Sequence, residues 1–387
     1  MGGQPLAEGS YQDFEKPPHN YKTRPLHDPF TKMISRFETE PGILDRSSEK
    51  AFLLSLLKVL DVPVNSQMLV FSTTSLQLSL ISPSNPRAIY FNEEIYVGFI
   101  PGGRIEIVSL DPELGGIYYI FDIPRGERPL RFERSNRCMN CHVSEDTGFV
   151  PGLVIQSVVP GPTGGSLDAF RNGQSGHGIP FEERFGGWHV TGKHGITNHW
   201  GNLTGRMAAG EITRIPNEPG TRFRWEKYPV NTSDILPHLL HEHQAGFVNR
   251  VVEAAYRART GELDPDEQAE KITRYLLFAD EAPLPRGGVA GDPEFKKAFL
   301  RNRRPNKDGF SLKDFSLESH LFKNRCSYMI YTPVFGELPR ELKERVYYRI
   351  SKALRGTNAD YSYLPEEEKK AIHSILQETL PDLPHDF

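Results

Sequence analysis

Cysteine is scarce in this chain: 387 positions hold only three. That count excludes a small disulfide-stapled scaffold, which carries many cysteines in a short sequence. Long apolar runs are missing too. The best, "AFLLSLLKVL" (51–60), is broken by Lys58 and is too short to span a bilayer, so no membrane span is expected. It reads as a buried helix, with Ser47 or Ser48 as N-cap and Pro63 past its end. No basic stripe is present. The formal net charge is −4 with both signs mixed along the chain, which gives no reason to expect nucleic acid as a partner. A signal peptide is also missing. The opening "MGGQPLAEGSYQD" reads as a mature N-terminus behind an added Met, so a removed leader is expected. Hydrophobic residues at 37% and charged residues at 25% are enough for a folded core and argue against wholesale disorder.

Against that scarcity, two of the three cysteines stand together, in Cys138-Met139-Asn140-Cys141-His142. C-x-x-C-H is the attachment signature of c-type haem. Its spacing has a chemical cause. Two thiols add across the two vinyl groups of the porphyrin, so they must sit a fixed distance apart. The next residue places its imidazole under the iron as proximal ligand. Cys138 and Cys141 would form the thioethers and His142 the axial bond. With 3 Cys and 13 His in the chain, roughly 0.0008 such matches are expected by chance. The rival readings each lack a part. A zinc site needs a second Cys/His pair, and only Cys326 remains, nearly two hundred residues away. A thioredoxin-like dithiol belongs to a βαβ unit, and none is visible. A disulfide gives His142 no task. Cys326, in "NRCSYMIY", reads as a buried free thiol that packs as a small hydrophobe. Covalent haem attachment takes place outside the bacterial cytoplasm, so the periplasm, or another extracytoplasmic compartment, is the expected location.

Four regions follow from the patterning. Residues 1–45 are Pro- and Tyr-rich and read as an extended arm. Residues 46–134 form a β-rich region. Its strands are "QMLVFSTTSLQLSLI", "RAIYFNEEIYVGFI", "RIEIVSL", "GGIYYIFDI" and "LRFER", separated by "SPSNP", "PGG", "DPELGG" and "PRGERP". Residues 135–230 hold the cysteine motif and a glycine-dense stretch. Between 161 and 205 lie twelve glycines, four histidines, Trp188 and Trp200. Flexible linkers are poor in aromatics, so this stretch reads as an ordered loop system whose backbone can approach a flat ligand. Residues 231–387 turn helical and should pack on the haem region. The helices begin with one capped by Ser233 or Asp234 and continue through "PDEQAEKITRYLLFAD", "PEFKKAFLRN", "PRELKERVYYRISKAL" and "PEEEKKAIHSILQETL". The fold class is therefore α+β: a β-rich N-terminal half, a glycine-rich haem c region and a mainly helical C-terminal half. A class I cytochrome c has a helix before its motif. Here the motif follows strands, so that simple fold is not expected.

The chain resembles a large group of bacterial proteins with a cytochrome c domain. The resemblance rests on "NPRAIYF" (85–91), the haem motif, "GGWHVTGKHG" (186–195), "HWGN" (199–202), "HEHQ" (241–244) and "CSYMIYTPVF" (326–335), and runs from about residue 50 to the C-terminus. It implies one covalent haem c per chain in a large extracytoplasmic protein, and no particular substrate.

The second axial face of the iron decides what a haem c does. Met or His there favours electron transfer; an open site favours ligand chemistry. Candidates are His177, His189, His194, His199, Met207, His241 and His243. His243 leads with His199, and His194 follows. His243 shares a helix face with Leu239, Leu240 and Phe247, whereas His241 lies about 160° around the helix and should face outward. His194, His199 and His243 could alternatively converge on a separate second metal ion. Arg137 beside the motif, with Arg184 and Arg206, is a candidate partner for the haem propionates. Trp188 and Trp200 would stack on the porphyrin or fill core. Three functions are compatible with these residues. The first is single-electron transfer with a redox partner protein or a small-molecule donor or acceptor. The second is a peroxidase-like haem oxidoreductase with Glu242 or a loop histidine as acid–base group. The third is a haem-based gas sensor or binding module.

Overall fold

The computed structural model describes residues 10–40, 42–124, 126, 128–170, 173–356 and 359–387. Its fold is α+β, with a β-rich N-terminal half and a helical C-terminal half. The central element is a seven-stranded antiparallel sheet. It is built from β1 (Met68–Val70), β2 (Arg87–Phe91), β3 (Ile95–Phe99), β4 (Ile105–Asp111), β5 (Gly115–Phe121), β6 (Glu133–Arg134) and, from the glycine-dense stretch, β9 (Trp188–His189). The strand order is β6-β5-β4-β3-β2-β1-β9. Two hairpin pairs stand apart: β7 (Val158–Pro160) with β8 (Ser166–Ala169), and β10 (Leu203–Ala208) with β11 (Glu211–Pro216).

Side chains alternate across the pleat, so the sheet buries two different faces. Ala88, Tyr90, Val97, Ile107, Ile117, Tyr119 and Phe121 pack beneath α1 (Pro29–Thr39) and α2 (Glu49–Val59). Phe91, Tyr96 and Leu110 point the other way, into the large core that contains α4 (Ile235–Thr260). Around α4 lie α5 (Pro265–Leu276), α6 (Pro293–Phe299), the short α7 (Pro333–Gly336), α8 (Arg340–Arg355) and α9 (Glu366–Thr379). Asp234 caps α4 by accepting from Leu236 N, and Gly261 closes it in the left-handed conformation at φ 75°. Every residue of α4 from Ile235 to Asn249 is buried, so this helix has no solvent face in its first four turns.

Three expectations need correction. The N-terminal segment is not all extended arm. Asp28 accepts from Thr31 N, Pro29 occupies the first turn, and Phe30 and Phe37 bury one side of α1. The first strand run pairs only over Met68–Val70. Ser75 and Gln77 both hydrogen-bond to the Glu106 carboxylate, and the chain then coils into a 3₁₀ turn at Leu78–Leu80. The glycine-dense stretch also contributes strands. Its glycines allow protein to approach protein: a Cβ on Gly176, at φ +120°, would meet the Tyr275 hydroxyl at 2.6 Å. No helix among the described residues is long and apolar enough to cross a membrane.

Candidate functional site

The cysteine motif follows β6. A 3₁₀ turn over Asn136–Cys138 runs into the four-residue α3 (Met139–His142). Cys138 and Cys141 are thus one helical turn apart and face the same side. Both are free thiols, Cys138 partly buried and Cys141 exposed. Burial pushes the Cys138 thiol up. Met139 packs against the hydrophobic group beneath α1 and anchors the turn.

His142 is held from three sides. Its ring lies 4.6 Å from the Tyr118 ring of β5. Its backbone carbonyl accepts from Gly152 N at 3.1 Å and from Thr147 Oγ1 at 3.2 Å. Its Nδ1 sits 2.9 Å from the Gly152 carbonyl oxygen. A carbonyl only accepts, so Nδ1 is the donor and carries the ring proton. Burial lowers the His142 pKa, so the ring is neutral and Nε2 keeps its lone pair. A backbone carbonyl that fixes the tautomer is the usual second partner of a metal-binding histidine. The same carbonyl accepts from Tyr118 Oη at 2.8 Å. Asn249 of α4 fixes the loop that carries Gly152: it accepts from Leu153 N at 2.8 Å and donates to Leu153 O at 2.9 Å and Asp146 O at 3.1 Å. Two thiols on one turn and an imidazole with a free Nε2 are the donor set that covalent haem needs, so these residues fit the group.

The other expected ligands are placed differently. His243 is fully buried, with Nδ1 2.7 Å from His177 Nδ1 and Nε2 2.7 Å from Ser327 Oγ. Both ring nitrogens are engaged by protein, and the ring stacks on Phe278 at 4.7 Å. His194 and His199 lie together, ring centroids 5.5 Å apart. His194 Nδ1 accepts from Ile196 N at 3.2 Å, and His199 Nδ1 accepts from Gly201 N at 2.9 Å. An accepting nitrogen is unprotonated, so each neutral ring carries its proton on Nε2 and offers iron no free lone pair. His243 therefore sits in the His177 cluster and the other two sit apart from it. Among the described residues no group of three or more His, Cys, Asp or Glu side chains could hold a metal ion.

Arg137 is exposed beside Cys138. Arg184 is buried and donates to the carbonyls of Ile179 and His177, at 2.7 and 2.6 Å. Arg206 and Met207 lie in the exposed second half of β10. Trp188 is core: its Nε1 donates to Gln156 O at 2.9 Å and its ring meets His238 edge-on at 5.4 Å. Trp200 packs on Phe170 and under Arg214. His241 differs from the expectation most. It is buried, not outward-facing, because α4 has no outward face at that level. With Trp188, Phe185, Gln156, His238 and Glu242 it lines a small cavity. Gly152, Tyr118 and Asn249 were not expected at all. The "PG" dipeptide ten residues after His142 is the only local trace of the clasp.

No protein-family model, no curated protein and no solved structure matches the chain.

Proposed function

We propose that this chain is an extracytoplasmic monohaem c redox protein, akin to proteins with a cytochrome c domain, and that it transfers single electrons. One observation carries the reading: the Gly152 carbonyl accepts a hydrogen bond from His142 Nδ1–H, leaving Nε2 as a lone-pair donor beside two free thiols one turn apart. Haem c bound there supplies a one-electron iron couple. The chain's own work is orientation. Gly152 sets the tautomer and raises the basicity of His142, Tyr118 braces both groups, and Asn249 ties the clasp to the central helix. The redox partner is a protein or a small-molecule donor or acceptor, and the compartment is the periplasm.

A second reading has one observation in its favour. Glu242 is buried, accepts from Gly176 N at 3.2 Å, and lines the small cavity with His238 and His241. A carboxylate and an imidazole in that position suit the proton transfers of a peroxidase-like oxidoreductase. A redox titration of protein made in a haem-maturation host, with a peroxide turnover assay alongside, separates the two. Single-electron transfer predicts a one-electron Nernst curve and no peroxide turnover. Turnover that collapses in Glu242→Gln moves the function to the enzyme.

A further inference from the structure

Tyr118, Val108, Tyr96 and Phe91 are directly paired across four adjacent strands, so their side chains form one row on one face of the sheet. His142 lies against the Tyr118 end of this row. His241 lies against the other end, its ring 5.5 Å from Tyr96 and 5.4 Å from Phe91. Strands are about 4.8 Å apart, so Tyr118 and Tyr96 are separated by about 10 Å and the two imidazoles stand over one stretch of sheet. Val108 between them is partly exposed, as are Ile89 and Gly98 in the adjoining row. That leaves an apolar strip between the two rings. Arg87 lies on the same face and is paired with Glu106 at 2.9 Å.

His241 is also a buried histidine with uncommitted nitrogens. Among the described residues its ring makes contacts with Phe91, Tyr96 and Trp188 and no hydrogen bond. His243 spends both nitrogens on His177 and Ser327, and His238 spends Nε2 on His189 O and Ser233 Oγ. His189 also has both ring nitrogens unpartnered, but it is paired with Leu69 and packs on Phe223 on the opposite face of the sheet, away from this row. An imidazole that makes no hydrogen bond keeps a ring nitrogen available to a ligand. The place of His241 on α4, where every residue from Ile235 to Asn249 is buried, suits a ligand that must not drift.

We propose that His241 supplies the second axial ligand to the iron that His142 holds. The inference rests on the haem c reading above and goes beyond it in naming the residue. It makes the iron six-coordinate and low-spin, with two imidazoles.

The test uses the full chain made in a haem-maturation host, with the covalent haem counted first. Absence of covalent haem would sink the haem c reading itself and leave no iron for His241 to bind. With haem present, the ferric wild type should give a low-spin electron paramagnetic resonance spectrum and bind carbon monoxide slowly when reduced. His241→Ala should turn high-spin and bind carbon monoxide rapidly, and added imidazole should restore the low-spin signal. His238→Ala and His243→Ala should stay low-spin. His241→Met, which keeps a ligand while changing its softness, should stay low-spin with a raised reduction potential and covers the case in which the alanine variant does not fold. A high-spin wild type overturns the proposal. So does a His241→Ala or His241→Met protein with wild-type spectrum and potential.

Discussion

Gly152→Ala probes the clasp on His142 directly. A Cβ at this position would collide with Asn249 Oδ1 and lie 2.9 Å from Thr147 Cβ. Both neighbours are fixed, one by hydrogen bonds to Leu153 and the other by its capping contact with Ser144. Overpacking of this kind costs about 1–3 kcal/mol. Displacing Asn249 weakens its bond from Leu153 N, worth about 1 kcal/mol. Alanine offsets some of this, about 0.4–1 kcal/mol, by restricting the unfolded chain. The net loss is about 1–3 kcal/mol. Unfolding entropy of about 2.1 cal/mol/K per residue over 387 residues is roughly 0.8 kcal/mol/K, so Tm should fall by about 1–4 °C. Calorimetry reads the shift. Gly165→Ala, where a Cβ meets nothing within 4 Å, is the control and should not lower Tm. The haem-loaded variant should also show a shifted reduction potential, because the carbonyl that accepts from His142 Nδ1 has moved. A Gly152→Ala protein that melts at or above the wild type, with unchanged potential, refutes the reasoning.

Other consequences are equally open to measurement. His238 is buried and its pKa is lowered to about 3, mainly by desolvation. It stays neutral when folded and takes up a proton in the unfolded chain below about pH 6.5, so the stability it contributes is full above that pH and falls as pH drops. Relative to His238→Gln, the wild type should lose about 1 kcal/mol of unfolding free energy between pH 6 and pH 5; a constant difference by denaturant titration contradicts this. His243→Ala leaves His177 Nδ1 and Ser327 Oγ without their buried partner and should cost about 2–4 kcal/mol by urea unfolding, whereas a surface-like change below 0.5 kcal/mol would refute its core role. In haem-free native protein, iodoacetamide should alkylate exposed Cys141 and spare Cys326, which is fully buried with its thiol pushed up by desolvation. Equal labelling of Cys326 by mass spectrometry contradicts the packing.

The strands, α2, α4, α5, α8 and α9 were legible because their apolar spacing matches a pleat or a helix and their caps are written locally. Phe30, Met33, Ile34 and Phe37 carry the same helical spacing, but the Pro- and Tyr-rich surroundings obscured α1. The motif was legible as a local string, since Cys138, Cys141 and His142 lie within one turn. Its supports were not, because Tyr118, Gly152 and Asn249 converge from β5, a loop and α4. His241 was misplaced by phase: angles around a helix predict burial only when the helix has a wet side. A signal was present, as no Lys or Arg occurs between Lys227 and Arg250, and a helix without lysine or arginine over that length points to burial all round. The three-histidine alternative failed because sequence separation says nothing of which cluster each ring joins.

The central claim is a covalent bond between this chain and haem. The most direct test is to make the protein in a haem-maturation host, denature it, and extract with acidified organic solvent. The account predicts that the haem stays with the polypeptide, and that Cys138→Ser with Cys141→Ser releases it. Haem that passes entirely into the solvent from the unaltered chain contradicts it.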